Sequence, residues 1–509
     1  MPRYAAVDIG SNSVRMIAVE VVHGALRVLA EERQVTRLGE SVFRTGRVSE
    51  EALAFLMSTL SRLAGVYQRL NVDHVRAVAT SAVRDAGNQL ELLERANGVL
   101  GVPVEIISGP EEARLIHLGV ESRWKRPKER VLIVDVGGGS AELIVSEAGQ
   151  MIDAVSRPLG ALRLTELFLK SDPARSDELH RLKQYIDEKL APFVKKHKEE
   201  KFQRAIATSA SAAAVVCAVN QIPRGRRQDA DRMRARTTQL RELFQTLSML
   251  DLAGRRRLTG IGPRRAEIVT AGAAVFLRVL ETLHHHSLYY SAAGVRDGVI
   301  ADFLLRGVGR QLSQLSDDQR RVVEAMAKRF GVAIKHAQNV SHLSHGLFDL
   351  LQHIHELPPV AGRLLQAAAY LHDIGHFVSD TSHHKHSAYL VANSDMPGFT
   401  SRERLTIAAL CRFHRKSMPQ PRHSHFQALA AEEKRAVLML APLLRISDSL
   451  DRSHMQKVHE LTGMMRNGGV VIQVTAERDA DLELWAANEV SGAFTEVYGM
   501  PITIQRKRP

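Results

Sequence analysis

Two short runs carry residue types suited to gripping a phosphate. They are Asp8-Ile9-Gly10-Ser11-Asn12-Ser13 and Asp135-Val136-Gly137-Gly138-Gly139-Ser140, each following an apolar stretch. A tight turn whose backbone N–H groups point inward forms a concave nest for an anion. Glycine lets the backbone approach an oxygen closely. The serine hydroxyls and the Asn12 amide add donors. The aspartate at the strand end offers a carboxylate to Mg²⁺, which takes a few carboxylates together with phosphate oxygens. Glu142, two residues beyond Ser140, shares its sheet face and offers a second carboxylate. One Gly-rich turn is most often a plain hairpin. Two of them, each led by Asp, favour a phosphate site. Neither is a Walker loop, because no Gly-Lys-Ser/Thr follows, and neither is a dinucleotide fingerprint, because a strand follows rather than a helix.

A second set of chemistry-bearing residues lies far downstream. It comprises His336, the run Leu371-His372-Asp373-Ile374-Gly375-His376, and Asp448 in Ser447-Asp448-Ser449-Leu450-Asp451. One His, an adjacent His-Asp pair and a later Asp on separate helices can converge on a metal. His383, His384, His386 and His414 are further imidazoles nearby in sequence.

The elements that would position the first set read as α/β. Tyr4 to Val7 and Val14 to Val22 are β-rich, Val75 to Thr80 and Val102 to Ile107 read as strands, and Val131 to Val134 and Ala141 to Ser146 flank the second turn. Residues 49–70 carry helical periodicity (Ala52, Leu53, Leu56, Leu60, Leu63) with Ser49 as N-cap. Strand, Asp-led turn, strand therefore occurs twice, a repeat at domain scale. The charged stretch from Arg123 to Arg130 reads as a linker. From Ser316 to about Arg452 the pattern is helical and His-rich, and Val470 to Val474 and Ile502 to Ile504 suggest strands in a mixed tail.

Composition narrows the classes. The 509 residues suggest about two to four domains. The hydrophobic share of 45% and charged share of 25% are ordinary for globular protein. The formal charge of +13 favours a polyanionic partner. Arginine clusters such as Arg224-Gly225-Arg226-Arg227 and Arg255-Arg256-Arg257 would extend an anion path. With aromatics at 5%, stacking platforms for single-stranded nucleic acid are scarce, so no specific nucleic acid is expected. Only Cys217 and Cys411 occur, which argues against a disulfide framework and fits a cytoplasmic protein. No stretch is long and apolar enough to suggest a membrane span.

Four motifs occur in order: Ala6-Val7-Asp8-Ile9-Gly10-Ser11-Asn12-Ser13, Ala79-Thr80-Ser81-Ala82-Val83-Arg84-Asp85-Ala86, Ile107-Ser108-Gly109-Pro110-Glu111-Glu112-Ala113, and Val134-Asp135-Val136-Gly137-Gly138-Gly139-Ser140-Ala141-Glu142. Gly262-Pro263-Arg264-Arg265-Ala266-Glu267 and Gly294-Val295-Arg296-Asp297-Gly298 follow. In this order, over residues 4 to about 305, the chain resembles the exopolyphosphatase/guanosine pentaphosphate phosphatase family. The resemblance implies two actin-like domains of the actin/Hsp70/sugar-kinase, ribonuclease H-like kind, with the phosphate chain in the cleft between them. The order of His and Asp residues downstream resembles the HD phosphohydrolase superfamily. The expected organisation is actin-like domain I at 1–124, actin-like domain II at 125–307, an all-α HD-like domain at 308–455 and a small mixed α/β tail at 456–509.

Hydrolysis of a phosphoanhydride needs charge neutralisation, an in-line water and a group that orients or deprotonates it. Arg84 follows a strand and a Thr-Ser pair, so it can reach phosphate oxygens bidentately. Glu112 lies at a helix start, where acids are common for dipole reasons, and the resemblance assigns it the role of catalytic base. On the same reading Asp135 and Glu142 hold Mg²⁺, while Ser11, Asn12, Arg15, Gly138, Gly139, Ser140, Thr208 and Ser209 meet phosphate. One departure stands out: Ala207-Thr208-Ser209-Ala210-Ser211 replaces the family's Gly-containing turn, which puts nucleotide recognition in doubt more than polyphosphate. A second divalent metal is expected at His336, His372, Asp373 and Asp448. The leading expectation is an Mg²⁺-dependent exopolyphosphatase releasing terminal orthophosphate. The alternatives are a guanosine pentaphosphate phosphohydrolase, and a sensor that binds such ligands with little turnover. The resemblance also implies a homodimer.

Overall fold

The computed structural model describes residues 2–22, 25–125, 128–305, 313–466, 468–477 and 479–507. Two units form along the chain, Met1–Leu305 and Arg306–Pro509. Part of the charged stretch (Arg126, Pro127) and the expected boundary at 307–308 lie outside the described residues.

The first unit is organised by strands apolar on both faces. β1 (Arg3–Ile9) buries Ala5, Ala6, Val7 and Ile9 completely, which suits a central strand. It pairs antiparallel with β2 (Ser13–Val22) and parallel with β4 (His74–Ala79). β3 (Ala25–Val35) and β5 (Val104–Ile106) complete a sheet of order β3-β2-β1-β4-β5. The Glu50–Arg69 helix covers one face with Leu53, Leu56, Leu60 and Leu63, and the Ser49 hydroxyl accepts from the Ala52 N–H at 3.3 Å to start it.

The second lobe repeats this plan. Its strands are β6 (Arg130–Val136), β7 (Ala141–Glu147), β8 (Gln150–Arg157), β9 (Arg204–Thr208), β10 (Arg234–Arg236) and β11 (Ser287–Tyr290). Reading β8-β7-β6-β9-β11 reproduces the order and strand directions of the first sheet, with β10 added at the edge. Each lobe is thus ribonuclease H-like, and together they make an actin-like unit.

Two helices tie the lobes together. The Gly109–Arg123 helix leaves β5, and the Val295–Leu305 helix follows β11 and packs back on it and on β1. Leu115, Val299 and Ile300 share a buried cluster with Ala6, Ile17 and Val78 of the first sheet. A Cβ on Gly298 would sit 1.7 Å from the Leu115 carbonyl oxygen, so only glycine permits this approach. A buried ion network locks the same junction. Asp302 accepts from Arg76 at 2.8 Å and from Arg114 at 2.9 Å, and Arg114 also reaches Glu111 at 2.8 Å.

The second unit packs helices Ile334–Leu350, Pro359–Leu371, Ser401–Phe413 and Ala431–Ser449 around one core. A sheet of β12 (Val458–Arg466), β13 (Gly469–Ala476) and β14 (Ile502–Arg506) contributes Val470, Ile472, Val474, Ile502 and Ile504 to that same core. Among the described residues no helix is long and apolar enough to cross a membrane.

Candidate active site

The two Asp-led turns are built alike. Gly10 N–H donates to the Ser13 carbonyl at 3.2 Å, and Gly137 N–H donates to the Ser140 carbonyl at 3.0 Å. Each turn leaves its aspartate at the end of a central strand. The turns face one another at van der Waals distance. A Cβ on Gly138 would lie 3.0 Å from the Ser11 Cβ, and one on Gly139 would lie 2.5 Å from the Ser81 hydroxyl. Glycine is required at both positions by space. Between the turns opens a cleft of about 620 Å³ including its open mouth. Asp8, Glu112 and Asp135 face into it, with Arg15 and Arg265 beside them.

Cross-strand pairing sets the charges in rows. In the first lobe Asp8, Arg15 and Arg33 are direct neighbours across β1, β2 and β3. In the second, Asp135, Glu142 and Ser156 are neighbours across β6, β7 and β8. Such neighbours share a face about 5 Å apart. The Ser156 hydroxyl donates to Glu142 at 2.7 Å. Burial, opposed by Arg15 and reinforced by Asp8, raises Asp135 to about 7. Burial and then the Asp135 carboxylate raise Glu142 to about 8. The cations move the other way. Burial, then Arg15 and Arg227, lower Arg265 to about 9. Burial, then Arg15, Arg265, Arg227 and Arg296, lower Arg33 to about 8 although its side chain still reaches solvent. Each lobe thus brings an acid and an arginine to the cleft, Asp8 with Arg15 from the first and Asp135 with Arg265 from the second.

Glu112 enters from the start of the Gly109–Arg123 helix. The Ser108 hydroxyl caps that helix by accepting from the Glu111 N–H at 3.4 Å. The Glu112 Oε2 is buried and has no hydrogen-bond partner among the described residues. Its nearest cation is the Arg84 Nη1, 3.6 Å away, which donates to the Ile107 carbonyl at 2.6 Å. Burial and the Glu142 carboxylate push Glu112 well above the ordinary carboxylate range, and Arg84 partly offsets them. A buried carboxylate oxygen left open toward a polar cleft is suited to accept a proton from a water there.

Not every residue singled out from sequence lines the cleft. Ser11, Asn12, Arg15, Glu112, Asp135, Gly138, Gly139, Ser140 and Ser209 do. Arg84 sits behind Glu112, and Glu142, 1% exposed, sits behind Asp135. The Thr208 hydroxyl donates to the Ala293 carbonyl and is engaged there. Ser209 has φ of 94°, a conformation that favours glycine, and its hydroxyl accepts from the N–H groups of Ser211 and Ala212 at 3.1 and 3.3 Å. Sequence reasoning left Thr80 and Arg265 unassigned, though both stand in the motifs quoted above. It missed Arg163, which donates to the Gly139 carbonyl at 2.7 Å and to Ser81 at 3.2 Å and so clamps the second turn onto the first lobe. No local pattern marks Arg163.

The carboxylates suit Mg²⁺ by donor type. Asp8 and Asp135 offer hard oxygens at the cleft wall, with Glu142 directly behind, and Mg²⁺ prefers such oxygens with phosphate and water.

The second unit gathers its own cluster. His336, His372, Asp373 and Asp448 converge: the His372 Nε2 lies 3.3 Å from Asp448 and 3.5 Å from Asp373, and the His336 Nε2 lies 3.6 Å from Asp448. His376, His383 and His414 approach the other oxygen of Asp373 at 3.7, 3.4 and 3.8 Å.

Comparison with known proteins agrees with this architecture. Residues 17–307 match the Ppx/GppA phosphatase family, and residues 319–484 match domain III of Ppx/GppA phosphatases. Three solved structures are similar to the chain. A Ppx/GppA family member from Aquifex aeolicus is 29% identical, with a TM-score of 0.52 over 60% of this chain and 98% of its own. An exopolyphosphatase from Cytophaga hutchinsonii is 25% identical, with a TM-score of 0.56 over 59% of this chain and 97% of its own. An exopolyphosphatase-like protein is 28% identical, with a TM-score of 0.56 over 61% of this chain and 98% of its own.

Proposed function

From the premise that this chain belongs to the Ppx/GppA phosphatase family, we propose that it is an Mg²⁺-dependent exopolyphosphatase that removes terminal orthophosphate from inorganic polyphosphate. The observation that carries this reading is one cleft lined by both signs of charge: the Asp8, Glu112 and Asp135 carboxylates, with Arg15 of the first lobe and Arg265 of the second beside them. The substrate's last phosphoryl group lies between the two turns, where backbone N–H groups and the Ser11 and Ser140 hydroxyls meet its oxygens. Asp8 and Asp135, with Glu142 behind, would hold Mg²⁺, which would supply charge neutralisation and polarisation of that group. Glu112 takes a proton from a water as the water oxygen bonds to the terminal phosphorus. The bond from phosphorus to the bridging oxygen breaks, and that oxygen stays on the shortened chain. Arg84 steadies Glu112 from behind. The next phosphates follow the arginine row outward.

The test is orthophosphate release with Mg²⁺ from polyphosphate and from guanosine pentaphosphate at matched concentration, in the wild type and in Glu112→Gln. Expected is faster release from polyphosphate, falling by about 10²–10⁴-fold in the variant while polyphosphate binding persists. Preference for guanosine pentaphosphate would overturn the substrate. Binding without turnover in the wild type would make the protein a sensor, and unchanged turnover in Glu112→Gln would remove Glu112 from the base role.

A further inference from the structure

We propose that Arg163 is a positioning residue for the phosphoryl transfer proposed above, on which its role depends: its guanidinium fixes the Gly139–Ser140 peptide so that the Ser140 N–H is aimed at the phosphate, and it does so only while the two lobes are together.

In a trans peptide the carbonyl and the following N–H point in opposite directions, so holding one sets the other. The second Asp-led turn contains three such peptides. The Gly137 carbonyl accepts from the Ala161 N–H at 2.9 Å, and the Gly138 carbonyl accepts from the Leu162 and Arg163 N–H groups at 3.0 Å each. These donors open the Ala161–Phe168 helix. A Cβ on Gly160 would lie 2.3 Å from the Gly138 carbonyl oxygen, so the helix can begin this close to the turn only behind a glycine. The third carbonyl, that of Gly139, has no backbone donor among the described residues, and the Arg163 Nε donates to it at 2.7 Å. All three carbonyls are thus held from the side of one helix. The N–H groups of Gly138, Gly139 and Ser140 meet no acceptor among the described residues and are left to the cleft that the turn lines.

In the first turn two carbonyls are held in the same way by backbone alone. The Ser11 carbonyl accepts from the Gly39 N–H at 2.7 Å, and the Asn12 carbonyl from the Thr36 and Arg37 N–H groups at 3.2 Å each. The second turn relies on a side chain, and that side chain also reaches the other lobe. An Arg163 Nη donates to the Ser81 hydroxyl at 3.2 Å and pairs with the Asp85 carboxylate, while the guanidinium carbon lies 4.0 Å from the centre of the Phe43 ring. Donors set in a fixed plane let one guanidinium serve both lobes at once, which an ammonium on a flexible stem does not match. When the lobes separate, Ser81, Asp85 and Phe43 leave together, and the guanidinium is free to swing away from Gly139. The phosphate nest is therefore complete only around a closed cleft. A donor already aimed where charge gathers in the transition state lowers the barrier, and losing one costs about 10²–10³ in kcat.

The test compares kcat and KM for polyphosphate with Mg²⁺ in the full-length wild type, Arg163→Ala and Arg163→Lys. Expected is a fall in kcat of about 10²-fold in Arg163→Ala with little change in KM, the signature of an interaction made in the transition state. Arg163→Lys keeps a cation beside Asp85 and so guards against a folding failure; it should lose most of the same rate. Millimolar guanidinium, set against the same concentration of sodium chloride, should restore part of the rate in Arg163→Ala and none in Glu112→Gln. Wild-type kcat in either Arg163 variant, a change confined to KM, or a rate that guanidinium leaves lost overturns the proposal. If the wild type releases no orthophosphate from polyphosphate, the functional reading fails instead, and a crystal structure of Arg163→Ala decides the positioning role. A Gly139 carbonyl turned from its wild-type direction upholds that role, and an unmoved one overturns it.

Discussion

Replacing Asp135 with Asn should make the metal-free protein more stable while abolishing its response to Mg²⁺. Burial raises the Asp135 carboxyl from 3.8 to about 7, with Arg15 opposing and Asp8 adding to the rise. The folded state therefore binds this proton more tightly than the unfolded chain. Its contribution to stability is whole below about pH 4, declines as pH rises toward about 7, and is lost above that. Each pKa unit is worth about 1.36 kcal/mol, so a shift of about three units corresponds to about 4 kcal/mol at pH 8. Asn has nearly the same shape and no charge to desolvate. Allowing about 1–2 kcal/mol for the hydrogen bonds an amide makes less well, the variant should gain about 2–3 kcal/mol at pH 8 in EDTA. At about 2 °C per kcal/mol for a unit of this size, the rise in Tm is about 4–6 °C.

Saturating Mg²⁺ should largely close this gap. An ion at about a hundred times its Kd adds about 2.7 kcal/mol to the wild type and little to a variant lacking the ligand. The assay is thermal unfolding of both proteins at pH 5 and pH 8, in EDTA and in Mg²⁺. The gain should be large at pH 8 and small at pH 5. A variant less stable than wild type at pH 8 in EDTA, or one that Mg²⁺ stabilises as much as wild type, would refute the reasoning.

Arg33→Gln should weaken binding of long polyphosphate with little change in kcat, and should lower the slope of log affinity against log salt by about one; an unchanged slope would take Arg33 off the anion path. Asp302→Ala leaves Arg76 and Arg114 buried without their shared carboxylate, and should cost about 3–5 kcal/mol in denaturant unfolding; a loss under about 1 kcal/mol would show that the network does not lock the junction. Ser209→Ala keeps the strained backbone and removes the hydroxyl that accepts two N–H groups, so it should cost about 1 kcal/mol, whereas in Ser209→Gly the relief of strain offsets that loss to within about 0.5 kcal/mol. A destabilised Gly variant beside a neutral Ala variant would reverse that account.

What sequence could read was set by how local each constraint is. Asp8 and Asp135 with their glycines were legible because turn geometry and anion chemistry act within six residues. Leu53, Leu56, Leu60 and Leu63 were legible through helical period, and Ser49 through its cap. β3 was missed because its residues are mostly exposed or half-buried and include Arg27, Glu31, Glu32 and Arg33, so it lacks the apolar alternation of a covered strand. Asp302 and Arg163 were invisible because their partners lie elsewhere in the chain: Arg76 is 226 residues from Asp302, and Ser81 is 82 from Arg163. Arg84 shows the limit from the other side. Its type suggested a phosphate grip, but a short helix after β4 turns it to the Ile107 carbonyl and Glu112. In the helical unit, residue type and order singled out His336, His372, Asp373 and Asp448, and the fold brings their side chains together. His383 and His414 lie on separate helices, and only folding shows that they face one oxygen of Asp373.

The first unit contains charge arranged in two opposite ways, and the contrast bears on function. At the junction, Arg76, Arg114, Glu111 and Asp302 interlock at 2.8–3.5 Å, and each buried charge meets its counterpart. In the cleft the sequence had the same residue types to hand and the fold keeps many of them apart. Asp135 and Glu142 are raised toward neutrality, while Arg33 and Arg265 are lowered. A fold selected for stability alone would pair these groups or replace them with apolar ones. Keeping them unpaired lowers the stability of the free protein, and the compensation has to come from a ligand that carries both signs at once. A single cation would satisfy the acids and worsen the arginines. A bare anion would do the reverse. A phosphate chain with Mg²⁺ on its terminal group would present positive charge to the carboxylates and negative charge to the arginines.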